Sequence, residues 1–171
     1  RRWDRLDAML SANDLDGVVI HGDSGFHQPF VRYLTDYAPP FLTYLVVTAD
    51  DDPPTLFVGL SNHVQYVRET AAVEDVRLSV NAPGEKLADR LDGAVGAGDR
   101  VGLVGIDPRY GAGMPYQHYQ SLDARLDSDL VDATAAMTRL VSVRTDAELE
   151  RVRRAGEALD DAMTSLAAGA E

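Results

Sequence analysis

Gly22-Asp23-Ser24-Gly25 is the pattern in this sequence that comes closest to a reactive centre. It follows directly on an apolar run, Val18-Val19-Ile20, so the serine hydroxyl would stand just beyond the end of a strand. A serine there becomes a nucleophile only beside a base histidine that a carboxylate orients. The histidines are His21, His27, His63 and His118, and none has an aspartate three residues before it. The same four residues also make an ordinary turn, in which glycine and aspartate supply the backbone geometry. Metal chemistry finds less support. No two histidines lie three or four apart, so no helix face carries a ligand pair. Asp50-Asp51-Asp52 has charge for a divalent cation but lacks the alternating oxygen ligands and glutamate of a calcium loop, and reads as a solvated turn. Gly93, Gly96 and Gly98 follow a helical pattern and precede a strand, the reverse of the order that aims amides at a phosphate. Gly111-Ala112-Gly113 follows a strand but has no Lys-Ser/Thr pair, and Lys86 is the only lysine.

One segment remains. Val31-Arg32-Tyr33-Leu34-Thr35-Asp36-Tyr37-Ala38-Pro39-Pro40-Phe41 mixes cationic, anionic and aromatic groups in what reads as a loop bounded by prolines. Arg32 offers a planar fork for a carboxylate, and Tyr37 and Phe41 offer wall for a pocket. The residues fit equally well an arrangement in which Tyr33 and Leu34 plug the core while Arg32 and Asp36 face water.

The elements that must hold this segment can be read from periodicity. Trp3, Leu6, Met9 and Leu10 give an amphipathic helix ending near Asn13, and Asp16-Gly17 turns it into the Val18–Ile20 strand. Leu42–Thr48 and Thr55–Val58 read as an antiparallel hairpin. Ser61 is placed to cap a short helix carrying Val64 and Val67. A strand over Val76–Val80 follows, then a helix from Pro83 with Leu87, Leu91 and Val95 on one face and a Gly96-Ala97-Gly98 stop. Val101–Ile106 is the next strand, Tyr116, Tyr119 and Leu122 mark a helix, and Leu130-Val131 is a last short strand. His63 and His118 fall on helices and read as polar-face residues. A hairpin followed by alternating strands and helices means an α/β fold on a mixed sheet. Thr145-Asp146-Ala147-Glu148 is a capping box, and the helix it opens carries an apolar seam of Leu149, Val152, Leu159, Met163 and Leu166 that needs a covering surface.

The 171 residues suit one domain with an appendage, 1–143 and then 144–171. A net charge of −12, from 16 Lys+Arg against 28 Asp+Glu, argues against nucleic acid and membrane surfaces as partners. With no cysteine, disulfides, thiolate metal sites and thiol nucleophiles are excluded. No stretch approaches the length of a membrane span, and a cytoplasmic location is expected. The chain begins at an arginine and ends within a helical pattern, as a piece of something longer would.

Three stretches together resemble the N-terminal domain of the creatinase/prolidase family, which includes Xaa-Pro aminopeptidases and dipeptidases. Arg5-Leu6-Asp7-Ala8-Met9-Leu10, running into Leu15-Asp16-Gly17-Val18-Val19-Ile20, is similar to that family's first helix and strand. Arg32-Tyr33-Leu34-Thr35-Asp36-Tyr37 is similar to its Tyr-Leu-Thr-Gly-Phe/Tyr signature, with Asp36 in place of glycine. Leu140 to Ala155 resembles the junction to its catalytic domain, with Arg144-Thr145 in place of Lys-Ser. The resemblance implies a three-layer, ribonuclease H-like α/β domain with a mixed sheet. It also implies a catalytic C-terminal domain holding two divalent metals (Mn, Co or Zn) on two Asp, one His and two Glu. No such ligand set is present in these residues, so neither a catalytic nor a metal-ligating residue is assigned here. The implied role is accessory. The domain would help form a homodimer, pack on its own C-terminal domain, and lend Arg32, Tyr33, Asp36, Tyr37 and Phe41 to a substrate-contacting loop. The readings set against it are a stand-alone GDSL-like serine esterase using Ser24, and a non-catalytic interaction domain.

Overall fold

A computed structural model describes residues 2–23, 29–49, 53–106 and 113–169. The chain divides into two compact units, residues 1–140 and 141–171.

The first unit is built on β1 (Gly17–Gly22), whose six residues are all buried. Burial on both faces is why the strand reads as an unbroken apolar run. Beside it β2 (Thr43–Thr48) and β3 (Thr55–Val58) form an antiparallel meander, with Val19 opposite Val46 and Leu45 opposite Leu56. On the other side β5 (Arg100–Val104) pairs parallel with β1, and β6 (Asp129–Asp132) parallel with β5. With β4 (Asp75–Leu78) parallel to β3, the six strands run in the order β4-β3-β2-β1-β5-β6. This is the expected mixed α/β sheet flanked by helices.

Alternation assigns the two faces. Val19, Tyr44, Val46, Phe57, Val101 and Leu103 project to one side, where Leu87, Ala88 and Leu91 of α4 (Pro83–Leu91) and Leu122 of α5 (Tyr116–Asp123) cover them. Fully burying one such leucine contributes about 1.5–3 kcal/mol. α4 and α5 approach each other so closely that a Cβ on Gly84 would clash with the His118 carbonyl oxygen. On the other side lie α1 (Arg2–Ala12), with Leu6, Met9 and Leu10 buried, and α2 (Pro29–Thr35), with Phe30, Val31 and Leu34 buried. A Cβ on Gly22 would meet Val31 at 2.8 Å, which places α2 against the end of β1.

Several expectations need correction. Residues 29–35 are helix rather than loop: Pro29 sits in its first turn, where a missing N–H costs nothing. Ser61 does not cap. It lies inside a 3₁₀ turn, Ser61–His63, whose N-cap is Leu60 without a side-chain bond, and α3 (Val64–Thr70) continues from it. α4 ends at Leu91, before Val95, because Asp92 is extended and Gly93 has φ 82°. β4 stops at Leu78, short of Val80, and β5 stops at Val104, before a Gly105 with φ 82°. The helix α6 (Thr134–Ser142) was not anticipated, although Ala133, Met137 and Leu140 are buried at helical spacing.

The second unit contains α7 (Asp146–Ala168). Its capping box is formed: the Glu148 N–H donates to Thr145 Oγ1 at 3.3 Å, and the Thr145 N–H donates to Glu148 Oε2 at 2.8 Å. No described residue of α7 is buried.

Candidate functional site

The segment singled out by its chemistry divides into an inward and an outward set. Tyr33 is buried, its ring under the guanidinium groups of Arg2 (5.0 Å) and Arg5 (6.0 Å). Arg5 Nη1 donates to the Tyr33 hydroxyl at 2.8 Å, and Nη2 donates to the Leu140 carbonyl at 2.7 Å. Tyr33 thus ties α2 to α1, and through Arg5 to α6, which is a positioning role. Tyr37 is also buried, and its N–H donates to Thr35 Oγ1 at 3.2 Å. Burial, and then the neighbouring Tyr66, push the Tyr37 hydroxyl above the ordinary tyrosine range.

Arg32, Asp36 and Phe41 face solvent. Asp36 accepts from Arg2 Nη1 at 2.8 Å. Its φ of 58°, with its N–H bonded to the Arg32 carbonyl at 2.9 Å, makes it the left-handed residue that closes α2. Glycine takes that conformation without strain and aspartate tolerates it. The departure from glycine at this position therefore preserves the backbone and adds an ion pair. Phe41 is 48% exposed and packs edge-on against His63, centroids 5.6 Å apart.

A second cluster was missed. Tyr44, at the start of β2, is fully buried, and its hydroxyl lies 2.8 Å from His118 Nδ1 on α5. His21, near the end of β1, packs against the Tyr44 ring at 5.4 Å. His118 is therefore not a polar-face residue. It lies four residues before the buried Leu122, so the two share a helix face, and that spacing was the available signal. Burial, with Asp23 nearby, pushes the Tyr44 hydroxyl strongly up, and burial holds His118 below the usual histidine range. Both groups are thus kept neutral at pH 7. The cluster sits at the C-terminal end of β1, which pairs with β2 on one side and with β5 on the other. Ser24 and His27, which follow β1, lie outside the described residues.

At the opposite end of the central strands a cavity of about 590 Å³ is lined by Asp7, Asp14, Asp16, Asp99 and Arg100 among others. Its polar groups serve the fold. Asp16 accepts from the Arg100 N–H at 2.8 Å, Asp99 from the Gly96 N–H at 2.8 Å, and Arg100 Nη1 donates to the Asn13 carbonyl at 3.0 Å. Among the described residues no three His, Asp or Glu side chains converge to hold a metal ion, so the two divalent metals implied by the resemblance do not fit here. No helix among the described residues is long and apolar enough to cross a membrane.

The sequence model of the Creatinase/Prolidase N-terminal domain matches residues 2–142, which include all six strands. The chain belongs to this family. Solved structures share the fold. The dipeptidase PepE of Mycobacterium ulcerans superposes with a TM-score of 0.70 at 24% identity, over 96% of this chain and 42% of its own. The prolidase of Pyrococcus horikoshii gives 0.67 at 16% identity, over 95% and 41%. The N-terminal domain of the cytoplasmic peptidase PepQ of Mycobacterium tuberculosis gives 0.61 at 23% identity, over 81% of this creatinase/prolidase-type chain and 97% of its own. The chain spans about two fifths of the length of the first two proteins. No curated protein matches it.

Proposed function

We propose that this chain is the accessory domain, for dimerisation and substrate gating, of a metal-dependent hydrolase of the Xaa-Pro dipeptidase or aminopeptidase type, and is not catalytic by itself. The observation that carries the reading is the family match across residues 2–142. The names of the similar structures, an Xaa-Pro dipeptidase and two prolidases among them, supply the reaction class. In this proposal two divalent metals (Mn, Co or Zn) belong to a C-terminal catalytic domain, and the whole works as a cytoplasmic homodimer. Within the accessory domain, Phe41, Arg32 and Asp36 are the exposed groups available to a substrate, an apolar face beside a cation and an anion. Tyr33 and Tyr37 hold the backbone that presents them.

The coding sequence downstream of Glu171 tests the reading. A further domain-sized stretch of about 200–250 residues bearing two Asp, one His and two Glu supports it, and a stop codon directly after Glu171 overturns it. In a protein containing both parts, Phe41→Ala is expected to raise KM for an Xaa-Pro dipeptide with little change in Tm. Hydrolysis of such a dipeptide by the 171-residue chain alone would show that the domain is not accessory.

A further inference from the structure

The outer edge of β4 carries three backbone carbonyls in a row, and each is taken by a cationic side chain. β4 is an edge strand, parallel to β3 with Val58 opposite Leu78. The Ser79 N–H donates to the Val58 carbonyl at 2.9 Å, so Asp75, Arg77 and Ser79 turn their backbone groups towards β3. Val76, Leu78 and Val80, the alternate residues, turn theirs outward. Arg68 Nη2 donates to the Val76 carbonyl at 3.1 Å, and Lys86 Nζ donates to those of Leu78 and Val80 at 2.9 and 2.8 Å. The two cations reach this edge from opposite faces of the sheet. Arg68 comes from α3, beyond whose end the Ala72 N–H donates to the Thr35 carbonyl of α2 at 2.8 Å. Lys86 comes from α4, in the layer across the sheet.

We propose that Arg68 and Lys86 guard this edge: by occupying its outward carbonyls they keep β4 from adding an extended strand of another chain. An unguarded strand edge is a template for pairing, because its donors and acceptors already stand in line. Here the template would also be adhesive, since Leu78 and Val80 are 37% and 40% exposed beside it. An incoming strand would have to displace two cations from their hydrogen bonds and then desolvate them beside the new ladder. The choice of side chain fits the task. Lys86 is the only lysine among 16 Lys+Arg residues, and an ammonium presents three donors from one point, which two carbonyls of one strand can share. The strand is also cut short, as Asn81 (φ 59°) and Ala82 (φ 50°) turn the chain into left-handed backbone directly after Val80. The opposite edge is protected in another way: β6 has Asp129 and Asp132 at its two ends, where like charges repel a second such strand.

The guarded contact is one that the native chain avoids, so the proposal goes beyond the accessory-domain reading and does not depend on it. The test is light scattering on the full 171-residue chain across the micromolar range, with circular dichroism confirming that each variant is folded. Arg68→Met combined with Lys86→Met keeps both apolar stems and the helix propensity while removing the donors. The weight-average mass of this double variant is expected to rise about twofold or more over wild type, the least that one added strand pairing produces. Adding Leu78→Pro should return the mass to that of wild type. The Leu78 N–H points outward, so proline there removes an edge donor without breaking a bond to β3. Leu78→Ala, which removes the same side chain and leaves the donor, should not. A double variant that keeps the wild-type mass would overturn the proposal. So would association that Leu78→Pro fails to reverse, which would mean unfolding, or association that Leu78→Ala reverses equally, which would mean a merely apolar patch. Should the double variant not fold, Lys86→Met alone carries the same comparisons.

Discussion

The bond between Tyr44 and His118 is expected to behave as a matched pair, whose members are worse removed singly than together. Tyr44 is fully buried and its hydroxyl has His118 Nδ1 at 2.8 Å. His118→Leu fills the volume of the ring but leaves that hydroxyl in the core without its partner, at a cost of about 1–3 kcal/mol. Tyr44→Phe removes the hydroxyl itself and leaves a histidine that solvent still reaches, so the loss should be only about 0.5–1.5 kcal/mol. The double variant should then be more stable than His118→Leu alone, because two apolar groups of similar shape leave nothing unpaired. In a chain of this size a loss of 2 kcal/mol lowers Tm by about 4–8 °C, well within calorimetric resolution. A pH series adds an independent check. Burial lowers the His118 pKa in the folded state relative to the ordinary value near 6.5. The unfolded chain therefore binds the proton first as pH falls. The stability this group confers is complete above about pH 6.5 and is lost on acidification towards its lower folded value. His118→Asn, which offers an acceptor but does not titrate, should lack that loss, so its deficit relative to wild type should narrow below about pH 6.5. Strictly additive effects of Tyr44→Phe and His118→Leu would refute the reasoning, since independent sites add and a shared bond does not.

Three further outcomes follow from the packing and the caps. Gly84→Ala should destabilise by about 1–3 kcal/mol in urea melts, because its Cβ would meet the His118 carbonyl, a backbone atom that moves only if α5 moves. A gain from helix propensity would appear instead if α4 and α5 were loosely packed. Thr145→Ala should cost about 1 kcal/mol of α7 stability, seen as faster amide exchange at Glu148 and Leu149, while Thr145→Ser should restore protection. Asp36→Ala should lower stability by about 1 kcal/mol or more, since alanine resists φ 58°, whereas Asp36→Gly should stay within about 0.5 kcal/mol of wild type in thermal melts. Equal losses for the two would mean that the Arg2 ion pair, not the backbone, decides that position.

The sheet was legible because its strands announce themselves: Val18–Ile20 is buried on both faces, and the hairpin carries turn residues at its centre. The family likeness was legible for the same reason that its signature is conspicuous, an aromatic-charged segment at a fixed distance from the first strand. Its conformation was harder to read. Pro29 looked like punctuation and is in fact a helix start, and Asp36 became intelligible only once its positive φ was known. α6 escaped because Thr134–Ser142 has only nine residues and follows directly on the short strand β6, with no glycine or proline between them to mark its start. His118 was misread because a polar residue on a helix is normally placed outward. Its partner lies 74 positions away on β2, a relation that no local pattern expresses.

The order in which β1 acquires its neighbours bears on how the protein is made. Its antiparallel partner β2 arrives soon after it, and the three-stranded meander closes at Val58. Its parallel partner begins only at Arg100. At ribosomal speeds of about 5–20 residues per second, the open side of β1 waits roughly 2–8 s for β5. During that interval Val18, Val19 and Ile20 present an unpaired apolar strand edge, the kind of template that recruits other chains. A nascent chain of this protein should thus depend most on chaperone shielding between the emergence of β3 and that of β5. Slowing translation inside that window, by rare codons placed between Gly59 and Asp99, should lower soluble yield more than the same codons placed after Val104.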